Sequence, residues 1–380
     1  TTSNTCTITL PASASNGDTI IFADYARTWG TYQIIIDSNG LNYQGDDDTF
    51  DVEYSTDGQA VKIVYSDATN GWIPTLDKTV ADVPVMPVLN DYGIMAFGIT
   101  PSLTAISNLV SNTGVVATDT AGVGTARGLP AACEYGGDKG IFAYGGAPSA
   151  TAISNLLSNT GVVATDVAGV GTARKVLGGC DYGGDKGIFG YGYAGGDVAM
   201  TNLVSNTGVV GADVSGVGSA RQNPVACEYS ANKDKGIFAY GWADSPSPQY
   251  IATSNLVSNT GVMGTDVSGV GTPRDNASAC SFGNDKGLFG YGNNTPAGGK
   301  QNVTNIVSNT GVVATDTAGV GTARSHAGAT QYGEDKAIFA YGHTPANTAI
   351  SNLVSNTGVV ATDTAGVGTA RYSPGGASYG

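Results

Sequence analysis

The chain has 380 residues, a formal charge of −14 and 57 glycines, with only 13% of its residues charged. A surface this acidic repels phosphate backbones and anionic headgroups, which sets aside nucleic acid and membrane surfaces as partners. Abundant glycine and tyrosine with few charges suits many short strands joined by tight turns, and helix is not expected.

Residues 1–84 read as a small all-β attachment domain. Its strands are Thr19-Ile20-Ile21-Phe22, Gln33-Ile34-Ile35-Ile36 and Val61-Lys62-Ile63-Val64-Tyr65, separated by Asn-Gly and Asp-Gly turns. The N-terminal TTSNTCTITL lacks the basic and apolar regions of a signal peptide. The acidic stretch Gly45–Asp51 lacks the spacing of a calcium loop. Lys78–Pro87, with Pro84 and Pro87, reads as a linker.

From residue 85 to 380 one unit recurs. The aspartates opening its DKGIFAYG block, Asp138, Asp185, Asp234, Asp285 and Asp335, are spaced by 47, 49, 51 and 50 residues. Each copy reads as four strands: one after GTAR, then GIFAYG, AISNLVS and GVVATD. Glycines in Ser111-Asn112-Thr113-Gly114 and Tyr135-Gly136-Gly137-Asp138 supply the positive φ that tight turns need. Strict alternation puts Phe142 and Tyr144 on one face and Ile141 and Ala143 on the other, all apolar, so both faces must be covered. The ends are complementary. The chain stops at GTARYSPGGASYG, a first strand without followers, while Asp91-Tyr92-Gly93-Ile94-Met95-Ala96-Phe97-Gly98 is a second strand without a leader. Joining them predicts a six-bladed β-propeller of four-stranded blades closed by exchange of the N- and C-terminal strands, which leaves no terminal blade unpaired.

The order of arginine, small-residue strand and aromatic strand ending in Tyr-Gly resembles the Kelch repeat, whose double glycine is kept at Tyr144-Gly145-Gly146. The blocks YGGDKGIFGYG and NLVSNTGVVATDTAGVGTAR resemble repeats of bacteriophage tail-fibre and other virion structural proteins, particularly those of large marine phages. That resemblance implies a virion location exposed to the medium. It also implies an N-terminal domain that joins other fibre proteins, and a homo-oligomer such as a trimer.

Two loops differ from copy to copy, the one after the arginine and the one after the aromatic strand, and both leave the same end of a blade. Loops on a rigid scaffold commonly carry recognition. Together they present Tyr193, Trp242, Tyr250, Asn293, Asn294, His326, His343 and Tyr372, flat and amide-bearing groups suited to stacking on sugar rings and bonding their hydroxyls. The six arginines, Arg127, Arg174, Arg221, Arg274, Arg324 and Arg371, precede the innermost strands and are expected around the mouth of a central channel. There they either meet an anionic group or pair with an aspartate, the one eight residues earlier or one in the next blade. Cys133, Cys180, Cys227 and Cys280 share one repeat position with Thr330 and Ala377, which reads as a place for a small packing residue. Two histidines without a third ligand make no metal motif, no cofactor is implied, and no carboxylate pair is seen to break the repeat as a catalytic constellation would. The expected function is non-enzymatic: a fibre head recognising a host-surface glycan or protein receptor. The alternative is a purely structural subunit of a virion or appendage.

Overall fold

The computed structural model describes residues 4–46, 52–79 and 90–380, apart from 246 and 248. The chain divides into two compact units, Thr1–Met86 and Pro87–Gly380, and the described residues contain no α-helix.

In the first unit the expected strands form. Cys6–Thr9 runs parallel to Ile34–Asp37, which pairs antiparallel with Val52–Tyr54. A second antiparallel sheet joins Thr19–Ala23, Gln59–Tyr65 and Trp72–Thr79. Alternate residues of Gln59–Tyr65 are buried, and Val61, Ile63, Ile34, Ile36, Trp29 and Trp72 make the core. The last strand runs to Thr79, so Lys78 belongs to a strand and not to a linker; the rest of that segment, and residues 47–51 of the acidic stretch, lie outside the described residues.

The second unit contains six three-stranded antiparallel sheets, which we number one to six. Sheet one joins the two ends of the unit, pairing the C-terminal Gly375–Tyr379 with Tyr92–Ala96, which pairs in turn with Ser107–Val110. Sheet two is Ala131–Tyr135, Lys139–Ala143 and Ser154–Leu157, and sheet three is Gly178–Tyr182, Lys186–Gly190 and Thr201–Val204. Sheet four is Val225–Tyr229, Lys235–Ala243 and Gln249–Val257; sheet five is Ser278–Phe282, Lys286–Gly290 and Thr304–Val307. Sheet six is Gly328–Tyr332, Lys336–Ala340 and Ser351–Val354. Calling the GTAR-side member of each sheet its first strand, the first strands of sheets two to six lie side by side in order. Gly375–Tyr379 of sheet one neighbours both sheet six and sheet two, so the order returns to its start.

Four-stranded sheets were expected, and the fourth member is reduced to two isolated bridges. In sheet one these are Val110↔Val116 and Ser107↔Thr120. Three steps on one strand face four on the other, so one residue bulges out of register. The Asn108 amide fills the gap, donating to Ala117 O and Asp119 Oδ1 at 2.9 Å each, and Asn155, Asn202, Asn255, Asn305 and Asn352 do the same in the other sheets.

The facing of the second strand also departs from strict alternation. Phe142 packs towards sheet one, whereas Tyr144 joins Ile141 and Ala143 against Phe189 of sheet three. Tyr144 has φ +62°, and its counterparts Phe97, Tyr191, Tyr240, Tyr291 and Tyr341 share this left-handed conformation, which turns the ring to the other face.

That ring receives the arginine. The Arg127 guanidinium lies 3.9 Å from the Phe97 ring centroid, and the other five lie 3.9–4.3 Å over Tyr144, Tyr191, Tyr240, Tyr291 and Tyr341. All six are fully buried, so they do not line a channel mouth. Of the pairings expected, the aspartate in the next sheet is the one formed: Arg174 with Asp213 at 3.9 Å and Arg274 with Asp316 at 4.0 Å. Burial opposes ionisation of these aspartates, but hydrogen bonds outweigh it, as from Thr172 and Asn202 to Asp213, and hold the carboxyl below its ordinary range.

Between sheets the small residues are required by contact. A Cβ on Gly187 would run into Cys133 Sγ of the preceding sheet, and Gly236 and Gly287 stand in the same way against Cys180 and Cys227. Burial pushes these thiols up, which leaves them unreactive packing groups. Gly187→Ala is expected to cost about 1–3 kcal/mol by overpacking. Gly196→Ala, in open space, should stay within about 0.5 kcal/mol of the parent. Denaturant unfolding of the two variants checks the contrast, and adding Cys133→Ala should recover part of the first loss.

Candidate binding groove and shared cavity

The two variable loops meet in every sheet. The residue after each arginine bridges the start of the loop after the second strand: Gly128↔Gly146, Lys175↔Tyr193, Gln222↔Trp242, Asp275↔Asn293, Ser325↔His343 and Ile99↔Tyr372. The SNTG and YGGDKG turns meet each other elsewhere, Gly208 lying against the Tyr135 ring and Gly136 against Asn206 O. Variation is thus collected at one end of the sheets, as the copies implied.

Two copies depart most from the repeat at that end, and their departures touch. In sheet four both hairpin strands are extended to nine residues, which sets Trp242 opposite Tyr250 with centroids 4.8 Å apart and planes at 82°. In sheet five the loop folds into a small hairpin, Asn293–Asn294 against Gly299–Lys300, across the 3₁₀ turn Thr295–Ala297. The Tyr250 hydroxyl joins the two, hydrogen-bonded to Thr295 Oγ1 and accepting from Asn293 Nδ2 at 3.0 Å each. Trp242 Nε1 donates to Asp244 Oδ1 at 2.8 Å, and Asp244 N donates to Asp197 Oδ2 at 2.8 Å, so the indole is fixed at its edge. Between them lies a groove of about 620 Å³ lined by Trp242, Gln249, Tyr250, Pro273, Asn294, Thr295 and Pro296.

Of the eight residues singled out in the sequence, Trp242, Tyr250, Asn293 and Asn294 come together here. Asn294 is not a free ligand group. It is buried, its Nδ2 donates to Pro273 O and its Oδ1 accepts from Ala297 N, so its amide is used to hold the turn. His326, His343 and Tyr372 form a second cluster, both imidazoles edge-on to the tyrosine at 5.5 and 5.7 Å. Tyr193 stands apart from both, bridged to Lys175 and Asp197. His326 also belongs to a collar at the mouth of a smaller cavity, formed by the residue two places after each arginine: Leu129, Val176, Asn223, Asn276, His326 and Ser373, all with φ between +48° and +58°. These residues, not the arginines, line that mouth, because the arginine side chains turn back between the sheets.

A second cavity, about 70 Å³, is lined by the first strands of all six sheets. Here the sequence reading missed a departure. Glu134, Asp181 and Glu228 occupy one register in three successive sheets, where the other copies have Ser281, Gln331 and Ser378. A cation nearby also breaks the repeat: the turn of sheet four carries two extra residues, Tyr229-Ser230-Ala231-Asn232-Lys233-Asp234, and buries Lys233, 7% exposed, within electrostatic reach of the three carboxyls but not in hydrogen-bond contact with them. The visible signal was the coincidence of two irregularities, an acidic triplet and a lengthened turn. Burial pushes Glu228 up to about 8, with Asp181 adding to the effect and Lys233 opposing it. Burial alone would lower Lys233, but Glu134, Glu228 and Asp181 outweigh it and raise it. Asn90 donates to Glu134 Oε2 and, at 3.2 Å, to Ser378 Oγ, while Asp181 Oδ1 accepts from Glu134 N at 2.6 Å. Among the described residues no cluster of histidine, cysteine or carboxylate groups is arranged to hold a metal ion, and the lysine supplies the positive charge instead.

Removing the lysine should leave buried carboxylates uncompensated. Lys233→Met is expected to destabilise most above about pH 8, where Glu228 is ionised, by about 3–5 kcal/mol, and less as the pH falls below 8 and that carboxyl takes up its proton. In the parent, Glu228 holds its proton more tightly folded than unfolded. Its contribution therefore weakens as pH rises from its ordinary 4.5 towards 8, a slope that Glu228→Gln should flatten in melting curves across that range. No protein-family model matches the chain, and no curated protein matches it in sequence.

Proposed function

We propose that Pro87–Gly380 is a six-bladed Kelch-like β-propeller acting as a non-enzymatic recognition head, which takes a host-surface glycan in the Trp242–Tyr250 groove. The closed neighbour order of the six sheets, the pairing of the two ends of the unit and six equivalent arginine contacts support the propeller. The observation that carries the binding reading is the groove itself. The insertions of two successive copies build it jointly, and their contacts hold an indole and a phenol at a fixed angle beside amide and hydroxyl groups. Aromatic faces with a polar rim suit a pyranose, whose C–H face is apolar and whose edge carries hydroxyls. In the phage-fibre context drawn from the repeat wording, the first unit would attach the head to the rest of the fibre, in an oligomer.

A second reading, a structural subunit, has its own support. Val115, Val162, Val209, Val262, Val312 and Val359 stand at one repeat position and are each 61–64% exposed, a regular apolar set available to a neighbouring subunit.

The two readings separate in a binding measurement. Full-length protein applied to whole cells and a glycan array should bind, and the Trp242→Ala/Tyr250→Ala pair should weaken binding at least tenfold while the melting temperature of the second unit is kept. Absence of binding to any cell or glycan by folded protein would remove the recognition reading and leave the structural one.

A further inference from the structure

Resting on the recognition reading, we propose that the groove is built for an anionic saccharide, whose carboxylate or sulfate is held by Lys300 and His343 beside the hairpin of sheet five. Lys300 was not among the residues picked from the sequence. It is the cross-strand partner of Asn293, and directly opposed residues of a hairpin have Cβ atoms about 5 Å apart. Asn293 bonds the Tyr250 hydroxyl at 3.0 Å, and Lys300 Nζ lies 2.6 Å from His343 Nδ1. One continuous line of contacts therefore runs from the aromatic groove through the hairpin to a basic cluster.

The chemistry of that cluster is specific. The ammonium of Lys300 has only donors, so the hydrogen bond fixes Nδ1 of His343 as the acceptor and places the ring proton on Nε2, free to donate. His326 also packs against Tyr372, with ring centroids 5.5 Å apart. Among the described residues, no carboxylate lies within ion-pair distance of Lys300, whereas Lys139, Lys186, Lys286 and Lys336 of the repeat each pair with the aspartate beside them. Acids stand instead behind the Trp242 edge, where Asp244 accepts from the indole and Asp197 from Asp244 N. A ligand with one anionic substituent is thus oriented: the sugar face on the aromatic pair, its charge towards Lys300. A neutral saccharide would leave the ammonium uncompensated, and a cationic one would meet repulsion.

The test uses the full chain and matched saccharides that differ only in charge: oligogalacturonate against its methyl ester, and sulfated against desulfated dextran, together with an array containing charged and neutral glycans. The expected result is at least tenfold tighter binding of an anionic member over its neutral partner. Lys300→Gln should abolish that preference while neutral binding persists, and Trp242→Ala should weaken both members. The carboxylate and sulfate arms tell which anion is preferred. Binding confined to neutral glycans, or a preference that survives Lys300→Gln, overturns the proposal and leaves the glycan reading standing. Binding of no glycan at all overturns both.

Discussion

The six buried guanidinium groups are the constraint on which the rest of the second unit depends. Each three-stranded sheet is apolar on both faces and cannot bury them alone, so each must be clamped to its neighbours. The arginine does this by touching both neighbouring sheets at once. Arg174 lies on the Tyr144 ring of sheet two, donates from Nε to Tyr191 O at 2.9 Å and from Nη2 to Asn202 Oδ1 at 2.7 Å in sheet three, and faces Asp213 of that sheet. Arg371 repeats the arrangement between sheets six and one, from the Tyr341 ring to Phe97 O and Met95 O. A planar, permanently charged fork can stack and bond in this way; an ammonium cannot. The positive φ of the aromatic residue turns its ring under this group, and the glycine that follows is required by a carbonyl of the adjoining loop, as Gly145 is by Gly128 O.

Much of this was legible in the sequence, and the parts that were not have a common cause. The period, the turns, the pairing of the chain ends and the gathering of variable loops at one end were each carried by several copies, so the pattern averaged out local exceptions. The fourth strand failed because its hydrophobic spelling, GVVATD, suggests a ladder, while the asparagine of the third strand satisfies the backbone through its side chain instead. Tyr144 was assigned to the wrong face because alternation assumes extended backbone throughout, and the residue turns at φ +62°. The arginines were placed from the position of their Cα atoms alone; a long side chain reaches the space between sheets as readily as the mouth. Glu134, Asp181 and Glu228 were missed for a different reason. Each looks unremarkable within its own copy, and only their shared register makes them neighbours around one cavity.

The variable end raises the question of whether difference signifies function or mere relaxation. Unconstrained loops would diverge independently, with no reason for an insertion in one copy to fit an insertion in the next. Here the long hairpin of sheet four and the small hairpin of sheet five are joined through Tyr250, Asn293 and Thr295, and the hairpin of sheet five meets sheet six through Lys300 and His343. Three successive copies are therefore joined to each other through loop residues that differ from the rest of the repeat. That mutual fit favours a built surface over drift.

The same logic applies in reverse to the outermost segments, which are exposed yet nearly identical from copy to copy. Most of that constancy has a structural cause. The aspartate receives the threonine hydroxyl and amide of the segment before it, as Asp166 does from Thr125, and the tyrosine hydroxyl bonds a valine carbonyl, as Tyr144 does at Val170. A glycine with φ +79° at Gly124 has no room for a Cβ beside Asp166. The exposed valine after the SNTG turn makes no such contribution: neither burial nor a side-chain bond accounts for a β-branched apolar residue there in all six copies. If the copies had simply not had time to diverge, the loops at the other end would be uniform as well, and they are not. The valines are thus the feature that supports the structural reading, and they follow the SNTG turn rather than the variable loops, so the two readings draw on different parts of the sheets.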